Sequence, residues 1–265
     1  MDRPLNTNFV SKKELNHKHI AFSMARVPGS GHYYHGASDS VYQVDHGHEK
    51  PEAKRFTAEG HSSYILGTAL NSRHLFTGGW DKNLIWWDRE TGKAVRKQKA
   101  HGKWLRGVEV SPCGKQLATV SDDMVCRIWS TETGSLLAEL KGHEAQTPNN
   151  YPSMLFCARY SPDGSRLATG DKVGHVVIWD PESFKPLQTL DAPGHYTWDP
   201  TARRHSIGGL RSIAFSLDGK QMYTGGIHKI GNVDHLGAKA RLEIFDLETH
   251  ESLAVLSGSD KCKGL

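Results

Sequence analysis

The sequence predicts an all-β fold assembled from repeated small sheets, and three observations support this class. Five segments end a strand at Thr or a replacement for Thr, and these positions lie 42, 42, 50 and 55 residues apart. After each of these positions come a turn and a further strand, which ends in a large apolar residue and usually Asp. No helical periodicity competes with this alternation. The five positions are His35, Thr77, Thr119, Thr169 and Thr224.

Residues 101–140 show the repeated unit in its clearest form. Alternating valines predict a first strand over 108–110, and a Pro-Cys-Gly turn follows it. Further strands are predicted over 117–120, 125–129 and 136–140. Four short strands separated by turn signals predict one antiparallel sheet.

The same unit recurs across residues 20–256, and we name the five predicted sheets blades one to five. One such sheet has two apolar faces, so neighbouring blades must stack radially to bury them. The predicted fold is therefore a β-propeller of four-stranded antiparallel blades. The ends of the third strands are predicted at 41–45, 84–88, 126–130, 176–180 and 242–246.

The repeats resemble those of the WD-repeat β-propeller family. This resemblance implies a buried, hydrogen-bonded set of His, Thr, Asp and Trp side chains in each blade, with a structural rather than a catalytic role. In blades two and three Asp lies six residues, and Thr ten residues, before Trp. The set consists of His61, Thr77, Asp81 and Trp87 in blade two and of His101, Thr119, Asp123 and Trp129 in blade three.

The other blades depart from this pattern. Blade four keeps His143, Thr169 and Trp179, but it has Val173 six residues before Trp, so Asp171 is the candidate replacement. Blades one and five have Val44 and Phe245 in place of Trp. An incomplete polar set predicts that these two blades hold their turns less firmly.

Three insertions interrupt the repeat, over residues 142–154, 192–209 and about 227–238. The first two join a fourth strand to the next first strand, and the third joins a second strand to a third. In a four-stranded up-and-down blade both connections emerge on the same face. All three insertions should therefore lie together over blades three to five, and insertions on one face often mark the binding face.

The insertions supply candidate residues for binding a partner, because aromatic and arginine side chains are frequent among interface hot spots. The candidates are Tyr151, Tyr196, Trp198, Arg203, Arg204, His205, His228, Asp234 and His235. The alternative is that these segments are ordinary loops held by their own packing.

A metal site in the same segments is a second alternative, because imidazole and carboxylate ligands suit zinc. Its candidate ligands are His195, His205, His228, Asp234 and His235. No pair of them has a diagnostic spacing such as H-E-x-x-H. We therefore expect no metal and no cofactor.

Composition limits the function classes. The net charge is +4, from 33 basic and 29 acidic residues, which is too mild and too dispersed to indicate a nucleic-acid partner. No segment approaches the roughly 18 apolar residues of a membrane span, and the N-terminus lacks the apolar core of a secretory signal. The four cysteines form no C-x-x-C pair. Reduced thiols and a cytoplasmic location are expected.

The ends of the chain raise the question of ring closure. A strand over 10–16 is predicted within an N-terminal extension, residues 1–19, and WD-repeat rings commonly close with such a strand. Blade five, however, has its own predicted fourth strand over 251–256. Residues 257–265 form a tail or begin a sixth blade. Family members usually have seven blades, so we expect a truncated seven-bladed ring, with a compact five-bladed ring or closure by a second chain as alternatives.

These features predict a non-catalytic protein–protein interaction scaffold that presents long loops on one face. Against an enzyme, the sequence has no G-x-S-x-G, G-x-x-x-x-G-K-[ST] or H-E-x-x-H motif. One alternative is a propeller that binds nucleic acid or a charged peptide through Arg203, Arg204 and Arg211. Another is a metal-dependent enzyme that uses the loop histidines.

Overall fold

The computed structural model describes residues 19–38, 40–47, 51–56, 60–201, 206–228, 230 and 239–258. These residues form five four-stranded antiparallel sheets and one two-stranded sheet. The five larger sheets follow one another in chain order, so the predicted class of all-β blades is confirmed. The predicted N-terminal strand over 10–16 lies outside the described residues.

In every blade the four strands lie side by side in the order of the chain. Blade one contains β1 (Ser23–Arg26), β2 (His32–Gly36), β3 (Val41–Asp45) and β4 (Ala53–Arg55). Blade two contains β5 (Ile65–Leu70), β6 (His74–Gly79), β7 (Asn83–Asp88) and β8 (Ala94–Lys99). Blade three contains β9 (Leu105–Val110), β10 (Gln116–Ser121), β11 (Cys126–Ser130) and β12 (Leu136–Leu140).

The last two blades enclose the two-stranded sheet in sequence. Blade four contains β13 (Leu155–Tyr160), β14 (Leu167–Asp171), β15 (His175–Trp179) and β16 (Pro186–Asp191). The small sheet consists of β17 (Tyr196–Trp198) and β18 (Ser206–Gly208). Blade five contains β19 (Leu210–Phe215), β20 (Gln221–Ile227), β21 (Ala240–Asp246) and β22 (Ser252–Ser257).

The hydrophobic core consists of wedges between neighbouring blades rather than one central mass. Between blades two and three, Leu84 and Trp86 share a cluster with Leu105 and Val108. Further clusters join blades one and two, three and four, and four and five. The first strands of successive blades contact one another from β1 to β19, so these strands lie nearest the axis.

Glycines directly after the repeated Thr position let the next blade approach closely. A Cβ atom at Gly78 would lie 2.3 Å from Leu105 Cδ2, and one at Gly170 would lie 2.5 Å from Leu210 Cδ2. The first apolar residue of the following blade therefore packs directly against each of these glycines. Gly225 holds the same position in blade five, but a Cβ there would meet only Ser212, a residue of its own blade.

Candidate functional site: the loop face

The second-to-third turns and the connections between blades emerge on one side of the blades, which we call the loop face. Backbone hydrogen bonds tie these two kinds of segment together. Trp80 N donates to Tyr64 O (3.0 Å) in blade two, and Asp122 N donates to Trp104 O (3.0 Å) in blade three. In blade four Lys172 N donates to Met154 O (2.9 Å). Blades two, three and four therefore hold their second-to-third turn against the preceding connection in the same way.

A chain of hydrogen bonds anchors the second-to-third turn of blade two to its core. Trp87 Nε1 donates to Thr77 Oγ1 (2.7 Å), which lies 2.8 Å from His61 Nε2. His61 Nδ1 donates to Asp81 Oδ1 (2.9 Å), because an ionised carboxylate can only accept. Burial opposes ionisation of Asp81, but the hydrogen bonds from His61, Asn83 and Ser62 together outweigh it and lower the pKa of Asp81 to about 2.

Blade three contains the same chain. Trp129 Nε1 donates to Thr119 Oγ1 (2.9 Å), which lies 2.8 Å from His101 Nε2, and His101 Nδ1 lies 3.1 Å from Asp123 Oδ1. Burial lowers the pKa of His101, so the ring is neutral near pH 7. Burial opposes ionisation of Asp123, but its bonds from His101 and Arg127 hold its pKa well below the usual range.

Blade four completes its chain with Asp171. His143 Nδ1 lies 3.0 Å from Asp171 Oδ2, and His143 Nε2 lies 2.8 Å from Thr169 Oγ1. Trp179 Nε1 donates to Thr169 Oγ1 at 2.9 Å. The other oxygen of Asp171 accepts from the backbone N–H of Val173 (3.0 Å), the residue that stands at the usual Asp position.

Blade five keeps only one bond of the chain. His195 is fully buried and its Nε2 lies 3.3 Å from Thr224 Oγ1, but no carboxylate among the described residues bonds to its Nδ1. Phe245, in place of Trp, has no N–H to donate. Gly226 corresponds to Asp171 of blade four, and a Cβ there would lie 2.4 Å from Gly209 O. The inserted segment thus occupies the space that a carboxylate side chain would need.

Blade one fills the equivalent positions with rings and an aliphatic side chain. His35 is buried and stacks on Tyr42, with ring centroids 5.1 Å apart. His19 stacks on Tyr42 at 4.5 Å. Val44, which replaces Trp, is fully buried.

The first and second insertions meet on the loop face. The rings of Tyr151 and Trp198 lie 4.9 Å apart between centroids. Tyr196 Oη donates to Asn149 Oδ1 at 3.5 Å. Segments more than 40 residues apart in the chain are therefore held together through aromatic side chains.

The second insertion is more ordered than the sequence predicted. It is expected to be a loop over 192–209, but it contains a 3-10 turn (Pro193–His195) and the β17–β18 hairpin. Thr197 of this hairpin is buried and accepts a bond from the backbone N–H of Ile230 in the third insertion (2.7 Å). The hairpin therefore contacts both of the other insertions.

Several candidate residues lie where the structure gives no description. These are Arg203, Arg204, His205, Asp234 and His235. His228 is described, and its backbone N–H donates to Lys239 O (2.8 Å). Within the described ranges no group of three or more His, Cys, Asp or Glu side chains could hold a metal ion. His195, one of the candidate ligands, is instead the blade histidine of blade five.

A row of aromatic rings crosses the loop face beside the axis, and we call Phe22, Tyr64, Trp80 and Trp104 the aromatic arc. Phe22 contacts Tyr64 (4.9 Å between centroids), and Tyr64 contacts Trp80 (4.8 Å). Trp80 stacks on Trp104 at 4.3 Å with an interplanar angle of 11°. Trp104 is 43% exposed and borders a cavity of about 280 Å³.

Cationic side chains continue this row over blades three to five. Arg106 lies between Trp104 and Phe156, with its Cζ 5.3 Å and 5.5 Å from the two ring centroids. Arg211 lies over Phe156, with its Cζ 4.0 Å from the centroid. Arg106 forms a bidentate pair with Asp122 (2.7 and 2.8 Å). This part of the face thus combines flat apolar rings with guanidinium groups.

The comparison with protein families agrees with this geometry. The family model of the WD domain, G-beta repeat, matches residues 53–88, 92–130 and 134–180. The matched segments contain the three complete hydrogen-bonded chains of blades two to four. Residues 53–180 of this chain are therefore WD repeats. Most of blade one and all of blade five lie outside the matches, in line with their departures from the WD pattern.

Similar WD-repeat sequences occur in proteins with very different names. The chain is 28% identical over 196 residues to "Nuclear distribution protein PAC1" of Arthroderma benhamiae, covering 68% of this chain and 38% of that protein. It is 29% identical over 136 residues to "Telomerase protein component 1" of Mus musculus, covering 51% of this chain and 5% of that protein. It is 29% identical over 125 residues to "Guanine nucleotide-binding protein subunit beta" of rice (Oryza sativa subsp. japonica), covering 46% of this chain and 33% of that protein. The chain thus spans well under two thirds of the length of each of these relatives.

The aromatic arc and its cationic neighbours are absent from the candidates chosen by sequence reasoning, apart from Arg211. Two repeated positions would have identified the aromatic arc. One is the residue just before the first strand, which is Tyr64 or Trp104 in blades two and three. The other lies three residues after the repeated Thr, where blades two and four have Trp80 and Lys172. Comparing the blades position by position reveals side chains that the insertions alone do not.

In the described parts of the chain, no helix has the length and apolar character needed to cross a membrane.

Proposed function

We propose that this WD-repeat protein is a non-catalytic scaffold for protein–protein interaction and that its loop face holds the partner. The observation that carries the proposal is the convergence of all three insertions, through the Tyr151–Trp198 ring contact and the Ile230–Thr197 hydrogen bond. Long segments have an entropic cost of ordering, which is easier to understand if the ordered surface is used.

The composition of the face supports the same proposal. Exposed Trp104 lies beside the guanidinium group of Arg106, and exposed Tyr64 contacts Trp80. Trp, Tyr and Arg are the side chains most enriched in interface hot spots. Two of the sequence candidates, Tyr151 and Trp198, form one aromatic pair at the other end of the face. The relative described as a guanine nucleotide-binding protein subunit beta is by name a subunit of a larger assembly.

Affinity purification with matched variants tests this proposal. Tagged intact chain is compared with Trp198→Ala, Trp104→Ala and Leu217→Ala by quantitative mass spectrometry of the recovered proteins. Leu217 is the control, because it is 95% exposed in a first-to-second turn on the opposite face. We expect the two tryptophan variants to lose partners that Leu217→Ala keeps. Partners retained by both tryptophan variants but lost by Leu217→Ala would reject the loop face.

A cytoplasmic location is part of this proposal. The three described cysteines, Cys113, Cys126 and Cys157, are free, as is usual in a reducing compartment. Fractionation of cells that express the tagged protein should recover it with cytoplasmic markers. Recovery with secreted or luminal markers would contradict this part of the proposal.

A further inference from the structure

Among the described residues, two cations on the loop face have no paired carboxylate, whereas a third cation has one. Arg106 is paired with Asp122 through two hydrogen bonds. Arg211 donates to the carbonyl of Gly208 (3.3 Å) and lies over Phe156, but no carboxylate among the described residues pairs with it. The cluster therefore has an unbalanced positive charge beside the axis.

Lys172 adds to this unbalanced charge. It belongs to the second-to-third turn of blade four and is only 9% exposed, although lysine is rarely buried without a partner. No ion pair joins Lys172 to a carboxylate within the described part of the chain. Its pKa is lowered by burial and by the nearby charge of Arg211, with Asp122 acting in the opposite direction. The backbone N–H of Lys172 donates to Met154 O (2.9 Å), and Arg211 lies over the ring of Phe156, two residues further along the chain. Both cations therefore lie at the start of β13.

The charges lie next to an apolar surface rather than alone. Phe156 separates Arg106 from Arg211, and beyond Arg106 the stacked Trp80–Trp104 pair continues the face. A ligand that reaches Arg211 can therefore also cover an exposed indole ring. An extended peptide with an acidic residue near an aromatic or aliphatic residue has both of these features.

We propose that Arg211 and Lys172 form a binding site for an acidic side chain of a protein partner, with the Trp80–Trp104 pair receiving an adjacent apolar side chain. The inference rests on the proposed function and gives its partner a chemical class. A carboxylate fits because Asp122 already shows how one engages an arginine of this cluster through two parallel bonds. Arg211 offers the same planar set of donors and uses it for one carbonyl oxygen.

Selection from a random heptapeptide library displayed on phage tests the proposal with purified full-length chain. The test protein is the Lys172→Met/Arg211→Gln double variant, and the control is Lys185→Met. Lys185 is an exposed lysine of blade four in the third-to-fourth turn, on the opposite face. Thermal unfolding of each protein establishes that all three are folded before selection.

We expect the intact chain and Lys185→Met to enrich peptides that carry Asp or Glu near an aromatic or aliphatic residue. The double variant should lose the acidic preference and keep the apolar one. For the best peptide, each single charge removal should weaken binding by about tenfold, as measured by fluorescence anisotropy, which is the usual scale for a charge-assisted bond. A copy with Asn or Gln in place of the acidic residue should lose a similar factor.

Three results would overturn the inference. The first is a selection without acidic enrichment on the intact chain, and the second is equal acidic enrichment on the double variant. The third is a phosphoserine copy that binds more than tenfold tighter than the carboxylate peptide, which would assign the site to phosphate. The peptide selection does not use Trp198, so its failure is separable from a failure of the loop-face proposal.

Discussion

Blades four and five have the same strand order and the same register, but they stabilise their turns differently. Thr169 pairs with Val177 in blade four, and Thr224 pairs with Glu243 in blade five. In blade four the histidine ring bonds to both Thr and Asp, whereas the ring of His195 in blade five bonds to Thr224 and to no carboxylate among the described residues. A shared backbone therefore does not require a shared polar network.

The two blades also differ in how deeply their third strands are buried. Val176 and Ile178 of blade four are fully buried against blade five. The corresponding Leu242 and Ile244 of blade five are only half-buried. The regular WD pattern is thus complete in blade four, where Val176 and Ile178 of the third strand are fully buried. It is incomplete in blade five, where the second insertion enters and the third strand is half-buried on one face.

Removing the blade histidine should give the largest difference in unfolding free energy between a variant of blade four and the matching variant of blade five. His143→Ala leaves Asp171 Oδ2 buried without its bond from the imidazole, while Oδ1 keeps its backbone bonds, so it should cost about 3–4 kcal/mol of unfolding free energy. His195→Ala removes one long bond and some packing, so it should cost about 1–2 kcal/mol. Urea unfolding followed by tryptophan fluorescence measures both. Equal losses would show that the Asp bond contributes nothing extra.

The glycines after the repeated Thr provide the second comparison. Gly170→Ala places Cβ 2.5 Å from Leu210 Cδ2 and 3.2 Å from Cys157 Sγ in a buried interface, so it should cost about 2 kcal/mol. Gly225→Ala meets only the Ser212 hydroxyl, which can rotate, and should change stability by less than about 0.5 kcal/mol. The same urea assay applies. A large loss for Gly225→Ala would mean that the outer face of blade five is packed.

Acid should weaken the blades that contain the carboxylate. Because the pKa of Asp81 is lowered to about 2 in the folded chain, its contribution is complete above its ordinary value near 4 and is lost as the pH falls towards 2. Between pH 5 and pH 2.5, Asp81→Asn should therefore lose about 1 kcal/mol less stability than the unmodified chain. Urea midpoints across this range test the sign. A variant with an unchanged acid response would disprove the assignment to Asp81.

Restoring Trp in blade five should have the smallest effect. Phe245 pairs with Met222 as Trp179 pairs with Leu167, so an indole at 245 can donate to Thr224 Oγ1. Phe245→Trp should raise the unfolding free energy by about 0.5 kcal/mol, since the new bond is partly offset by crowding. The comparison requires urea midpoints and slopes for both proteins. Destabilisation beyond 1 kcal/mol would indicate that the interface with blade four has no room for the larger ring.

Strand positions could be predicted from the sequence because they depend on local signals. The third strand of blade one, predicted at 41–45, is observed at Val41–Asp45. The β17–β18 hairpin was missed because strands of three residues are too short to show alternation. The sequence does not identify His195 as the blade histidine, because the insertion places it 29 residues before Thr224, whereas His61 of blade two lies 16 residues before Thr77.

By itself, the sequence determined the class of fold, the order of the strands and the polar set of blades two and three. The alternation of apolar and polar residues, the turn residues and the fixed spacing all lie within one blade, where the chain is continuous. These signals are therefore visible in the sequence itself. The tertiary structure alone decided that the Trp80–Trp104 pair meets Arg106 and that Arg211 and Lys172 both lie at the start of β13, with no carboxylate ion-paired to either of them among the described residues. These side chains come from different blades, and only radial stacking of the sheets brings them to one face.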